Sequence, residues 1–180
     1  MNEEPKNTTT LASKVIEVAC EWTAEKEIPG NKGFFSKLFT AFILLSGWKK
    51  GWMWCTSFAK SALLVAYEEY IVAKKKYNPF YDDAAARATV KKFLKCYSPN
   101  AQKWRNNLIK AGYTLLDKPV QGALGFLGYD KVHGHTFIVY NVMGLSNYMS
   151  IDGNAKDSVQ IVSRTTKDKH SLGFVAPPEV

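Results

Sequence analysis

Apolar residues recur along this chain at two different periods, and the change from one to the other divides it into halves. Within Thr56 to Lys76, Phe58, Ala59, Ala62, Leu63, Val65 and Ala66 form a stripe near the 3.6-residue period, with no Gly or Pro inside. The same kind of reading predicts helices over about 11–26, 35–46, 55–76, 82–96 and 99–111. Farther on, short β-branched and aromatic runs predict strands over about 122–127, 135–143, 147–152 and 158–165, with a last one at 171–176. Helices first and strands after is the α+β order: N-terminal helices packed on a C-terminal antiparallel β-sheet. No internal repeat and no linker to a second unit is visible. The expected organisation is a flexible N-terminus at 1–10, one domain over 11–176, and an extended tail at 177–180.

The segment Gly51-Trp52-Met53-Trp54-Cys55-Thr56-Ser57-Phe58-Ala59 places a cysteine where the longest predicted helix begins. The first N–H groups of a helix have no intrahelical acceptor and its positive end faces the residue there, so a thiolate is favoured. Cys55 is the candidate nucleophile. In His133-Gly134-His135-Thr136-Phe137-Ile138-Val139-Tyr140 a strand begins at the histidines, and in Tyr148-Met149-Ser150-Ile151-Asp152-Gly153-Asn154 a second strand ends in a turn. If the two pair as a hairpin across Gly144 to Asn147, His135 and Asp152/Asn154 become neighbours. Thiol catalysis needs this set: an imidazole to take and return the proton, and a carboxylate or amide to fix its orientation.

Each residue also has a plainer reading. A lone cysteine on a helix is commonly a small core residue, and Cys20 and Cys96, on amphipathic stretches, are read that way. Asp152 and Asn154 suit a simple turn. His133 competes with His135 for the role of base and otherwise lines the cleft; His170, in a charged segment, is a bystander. Trp52 and Trp54 are candidate substrate-binding walls, able to stack on a sugar or cover a peptide, although packing is the default for such rings.

Three blocks together resemble a known family. Trp-Cys-x-x-Phe at 54–58, Gly-His-x-x-Ile-Val at 134–139 and Asp-Gly-Asn at 152–154 are similar to the signature blocks of CHAP domains. These cysteine, histidine-dependent amidohydrolase/peptidases are related to the NlpC-type cell-wall peptidases and more distantly to papain. Glu27-Ile28-Pro29-Gly30-Asn31 resembles the loop after the first helix in many such domains, and the likeness runs from about residue 15 to residue 165. The resemblance implies a papain-like fold, with Cys55 as nucleophile, His135 as general base and acid, Asp152 as orienter and Asn154 sharing that role. It implies peptidoglycan as substrate, cleaved either between muramic acid and L-alanine or within the stem or cross-link peptide, as in a phage endolysin or an antibacterial effector. Some members bind calcium through Asp-rich ligands ahead of the cysteine; Asn31 to Trp54 has no such cluster, so neither metal nor cofactor is expected. Lys74 to Leu94 is long for a link between nucleophile helix and sheet and reads as an insertion covering the cleft.

Composition narrows the alternatives. With 180 residues, 46% hydrophobic and 22% charged, the chain suits a single globular domain, and its 3 cysteines suggest free thiols, not a disulfide framework. Met1 to Thr10 has neither a basic nor an apolar leader region, so synthesis in the cytoplasm is expected, with delivery to the cell wall by another route. The most apolar stretch, Phe34 to Trp48, is too short to span a bilayer and reads as a buried helix before a membrane-touching one. The balance of 24 Lys+Arg against 16 Asp+Glu gives +8, which suits an anionic envelope, and no nucleic-acid motif sharpens that alternative partner. A monomer is expected. Two other functions stay open: a non-catalytic envelope-binding or phage structural module, and a cysteine peptidase acting on proteins.

Overall fold

A computed structural model describes residues 10–180; the segment expected to be flexible lies, apart from Thr10, outside them. Five helices precede five strands: α1 (Leu11–Cys20), α2 (Lys37–Leu44), α3 (Cys55–Tyr77), α4 (Asp83–Leu94), α5 (Ala101–Lys110), then β1 (Leu124–Gly128), β2 (Gly134–Val142), β3 (Asn147–Ala155), β4 (Ser158–Thr165) and β5 (Ser171–Val175). The strands form one sheet in the order β4-β3-β2-β1-β5, and every neighbouring pair is antiparallel. The α+β class and the division into N-terminal helices and C-terminal sheet follow.

The long helix α3 is the hub, touching α1, α2, α4, β2 and β3. Its buried Ala59, Ala62 and Ala66 are small enough for these elements to approach closely, while Phe58, Leu63, Tyr67 and Ile71 fill the spaces between them. Alternation along the strands gives the sheet two apolar faces. Leu124, Phe126, Ile138, Ile151, Val159 and Val175 join the helices in the main core, whereas Ala123, Leu127, Phe137, Val139, Tyr148 and Phe174 form a smaller cluster of their own.

Three expectations are corrected by tertiary contacts, and the extended tail gains a docking site. α1 stops at Cys20, short of 26, because the following residues leave the helix to meet the sheet: Ala24 N–H donates to the Val159 carbonyl at 3.0 Å and Val159 N–H to the Glu25 carbonyl at 2.9 Å. Asp152-Gly153-Asn154 is not the turn. β3 continues to Ala155, and the reversal falls on Lys156 and Asp157, both left-handed with φ of 50° and 59°. Gly153 instead permits close approach, since a Cβ there would lie 2.4 Å from Phe58 Cβ on α3. The stretch from Lys74 to Leu94 does not cover the cleft: α4 runs back along the flank of α3, held by ion pairs of Arg87 with Glu68 and of Lys75 with Asp83. The tail is docked: Tyr67 donates its hydroxyl to the Pro178 carbonyl at 3.1 Å, and Val180 packs against the main core.

Candidate active site

Cys55 is the first residue of α3 and is only 4% exposed. Among the described residues, the other four helices each open on a side-chain cap: Thr10, Ser36, Asp82 and Asn100 accept from the third backbone N–H beyond them. α3 has Trp54 at that position and no side-chain cap. The N–H groups of its first turn therefore remain available to a negative charge, and the backbone N–H groups of Thr136 and Thr56 help to lower the Cys55 thiol. Trp54 serves as an anchor. Its buried ring meets Phe34 and Phe39 edge-on at 5.1 and 5.6 Å, and its Nε1 donates to Glu27 Oε2 at 2.7 Å. Glu27 is buried, which pushes its carboxyl up; the Trp54 bond works against that, and the Asn31 amide donates to the other oxygen at 2.9 Å. The Glu27–Asn31 loop thus fixes the residue immediately before the thiol.

The antiparallel pairing of β2 with β3, in register at Ile138 and Ile151, brings the start of one strand beside the end of the other. His135 Nε2 and Asp152 Oδ2 are 2.6 Å apart. That contact leaves Nδ1 for the thiol. Asp152 is buried, and it also accepts from the Ser150 hydroxyl and from Arg164 Nη2. Arg164, opposite Tyr148 on β4, donates through Nε to Ser150 Oγ at 2.7 Å, and its guanidinium lies 4.4 Å from the Phe137 ring centroid.

Burial works against every charge here, and the partners overcome it in each case. It pushes the Cys55 thiol up, but the neighbouring His135 and the two backbone N–H groups bring the thiol below its ordinary value. It disfavours imidazolium, yet Asp152 and Cys55 raise His135 to about 9. It disfavours carboxylate, and His135, Arg164 and Ser150 still hold Asp152 below the usual range. A lowered thiol beside a raised imidazole favours the thiolate–imidazolium form of the pair over the neutral one.

Cys55, His135 and Asp152 are thus brought together, whereas other candidates are not. Asn154 does not share the orienting role: it is left-handed at φ 61°, its amide donates to Met53 Sδ at 3.6 Å, and His135 Nε2 is already taken by Asp152. Trp54 is not a substrate-binding wall, because it is fully buried. Trp52 is 40% exposed, with Lys49 Nζ 5.6 Å from its ring centroid. His133 neither serves as base nor lines the site; its side chain is 78% exposed and paired through Nδ1 with Asp130 Oδ2 at 2.6 Å. His170 places Nδ1 3.1 Å from the Gly128 carbonyl, and its ring stands edge-on to Tyr129. Cys20 and Cys96 are half-buried free thiols that burial pushes up. Among the described residues no cluster of His, Cys, Asp or Glu suits a metal ion.

Sequence reasoning missed Arg164, Ser150 and Tyr129. Burial raises the Tyr129 phenol, Arg164 lowers it, and Asp152, Cys55 and Asp168 raise it. The available signal was Arg164 in an otherwise alternating strand, but linking it to Asp152 needs the register of β3 on β4. Three comparisons, with protein-family models, curated proteins and solved structures, give no match to this chain.

Proposed function

We propose that this protein is a peptidoglycan hydrolase that cleaves a cell-wall amide bond through a cysteine thiolate, on a papain-like fold of the CHAP type. The observation that carries the reading is the line Cys55–His135–Asp152 at the uncapped start of α3. The Cys55 thiolate attacks the amide carbonyl, and the N–H groups opening α3 receive the developing oxyanion. His135 gives its Nδ1 proton to the departing amine, leaving a thioester on Cys55. The now neutral imidazole draws a proton from water, hydroxide attacks the thioester carbonyl, and the acid product leaves as the thiolate–imidazolium pair returns. Asp152 holds the ring in place throughout. The amine released is either an L-alanine N-terminus, from an amidase cut, or an amine of the stem or cross-link peptide. The surplus of cations, 24 Lys+Arg against 16 Asp+Glu, suits an anionic envelope. The enzyme acts as a monomer at the bacterial wall, delivered as a phage endolysin or antibacterial effector.

The test is digestion of purified peptidoglycan from several bacterial types by wild type and Cys55→Ser, with fragments identified by mass spectrometry. Fragments from wild type alone are expected, and the new amine identifies the bond. Intact wall together with Cys55-dependent cleavage of casein would replace this reading with a peptidase acting on proteins.

A further inference from the structure

The side of α2 that faces solvent carries several large apolar side chains beside Lys37. Phe39, Phe42 and Ile43 are buried, while Leu38, Leu44 and Leu45 are 75%, 52% and 54% exposed, and Phe35, just ahead of the Ser36 cap, is 70% exposed. Positions 38, 41 and 45 share one helix face, which here reads Leu, Ala, Leu, and Leu44 flanks it beside Ala41. The apolar side chains of a surface helix ordinarily face a core, and α2 has a protein core on one side only.

The loop leading from α2 to Cys55 also exposes apolar side chains. Trp52 and Met53 are exposed, Gly51 N–H donates to the Asn31 carbonyl at 2.8 Å, and Trp48 Nε1 donates to the Trp52 carbonyl at 2.9 Å. The first bond ties the loop before Cys55 to the segment ahead of α2, and the second closes that loop on itself. Lys32, Lys37, Lys49 and Lys50 are exposed along the same stretch, and the sequence holds no Asp or Glu from Ile28 to Tyr67.

We propose that this face docks peripherally on the surface of an anionic phospholipid bilayer. Phe35, Leu38 and Leu44 would enter the interface between headgroups and acyl chains, with the lysines against the phosphates. Lysines alone suit any polyanion, wall polymers included. Large apolar side chains gain little from a hydrated polysaccharide and much from leaving water for a bilayer, and that difference selects the lipid. Against a second copy of this chain the same face would set lysine against lysine, which disfavours self-association. No described helix is long and apolar enough to cross a membrane, so the protein would lie on the bilayer and not span it. Because Cys55 directly follows the Trp52–Trp54 loop, docking would hold the thiol close to the membrane and direct it to bonds near the lipid surface.

The test is sedimentation with sealed vesicles, using the Cys55→Ser protein so that the result is independent of any hydrolytic activity. Binding to vesicles of phosphatidylglycerol with phosphatidylcholine is expected, about tenfold or more tighter than to phosphatidylcholine alone and weakened by salt. Leu38→Ser/Leu44→Ser and, separately, Lys49→Glu/Lys50→Glu should each lower that binding about tenfold with unchanged circular dichroism and Tm. Equal binding to both vesicle types, or anionic binding indifferent to both double substitutions, would overturn the proposal. So would absence of vesicle binding, or self-association in lipid-free buffer that Leu38→Ser/Leu44→Ser abolishes, which would assign the face to a second copy.

Discussion

Arg164 and His135 share one acceptor: from β4 and β2 respectively, both reach Oδ2 of Asp152, while Ser150 takes Oδ1. The orienting carboxylate is itself oriented, by a cation that the three-block motif does not contain. Its charge helps to hold the Asp152 carboxyl low, so Arg164 reaches His135 through Asp152.

Arg164→Met should therefore do more than weaken packing. Removing one partner from a buried ion pair costs about 3 kcal/mol of stability, and a misplaced imidazole lowers hydrolysis on the order of a hundredfold. The acid limb of Cys55 alkylation should move to higher pH, because a nearby cation has gone. Arg164→Lys should recover part of the titration but little of the activity, since lysine lacks the fork that spans Ser150 and Asp152. An unchanged alkylation profile in Arg164→Met would remove Arg164 from the account.

Iodoacetamide should react with Cys55 at neutral pH faster than with an ordinary thiol, given the thiol's lowered and the imidazole's raised titration. Hydrolysis should fall as pH passes about 9, where His135 loses the proton it must donate, while alkylation persists. His135→Ala should move the onset of alkylation upward. His133→Ala should change neither reaction, since that side chain is turned to solvent with Asp130.

The same pair makes a prediction about stability. A raised His135 stabilises the fold fully below its unfolded value and loses that contribution as pH climbs to about 9. A lowered Cys55 does the reverse, contributing fully above the unfolded thiol value and losing it as pH falls through the folded one. Where folding moves the thiol's proton to the imidazole, the folded and unfolded chains bind equal numbers of protons. The two slopes oppose each other, so wild-type stability should depend less on pH above the unfolded imidazole value than that of Cys55→Ser, in which Asp152 still raises His135 and stability should fall as pH rises. Urea denaturation across that range measures both slopes, and parallel slopes would count against the ion pair.

Gly153→Ala would drive a methyl into Phe58, whose Cβ lies 2.4 Å from the added atom. Overpacking of this kind costs about 1–3 kcal/mol. Because Gly153 adjoins Asp152 and Phe58 is one turn beyond Cys55, activity should fall by more than the loss of folded protein explains. A Tm measured beside specific activity separates the two effects.

Among the described residues the buried Thr136 hydroxyl has no partner, while the Thr136 backbone N–H helps to lower the Cys55 thiol. Thr136→Val keeps the shape and the N–H and removes the unpaired oxygen. Stability should rise by about 1 kcal/mol, with Cys55 alkylation unaltered.

Local pattern determined a good deal. The helical stripe after Cys55, the β-rich run after His135 and the order of helices before strands are short-range signals, and the corresponding elements form where they point. The placement of Cys55 at a helix start was legible for the same reason, since the apolar period begins there. Tertiary structure decided what depends on register and enclosure. Gly153 looks like a turn residue in sequence but is the gap into which Phe58 packs. Trp54 looks like a cleft wall, yet Glu27 receives its indole inside the core. Asn154 stands two residues beyond Asp152 and still misses His135, because its left-handed backbone aims the amide at Met53. Arg164 became part of the site only through the pairing of β4 with β3, a contact between strands that hydrophobic periodicity within either one does not encode.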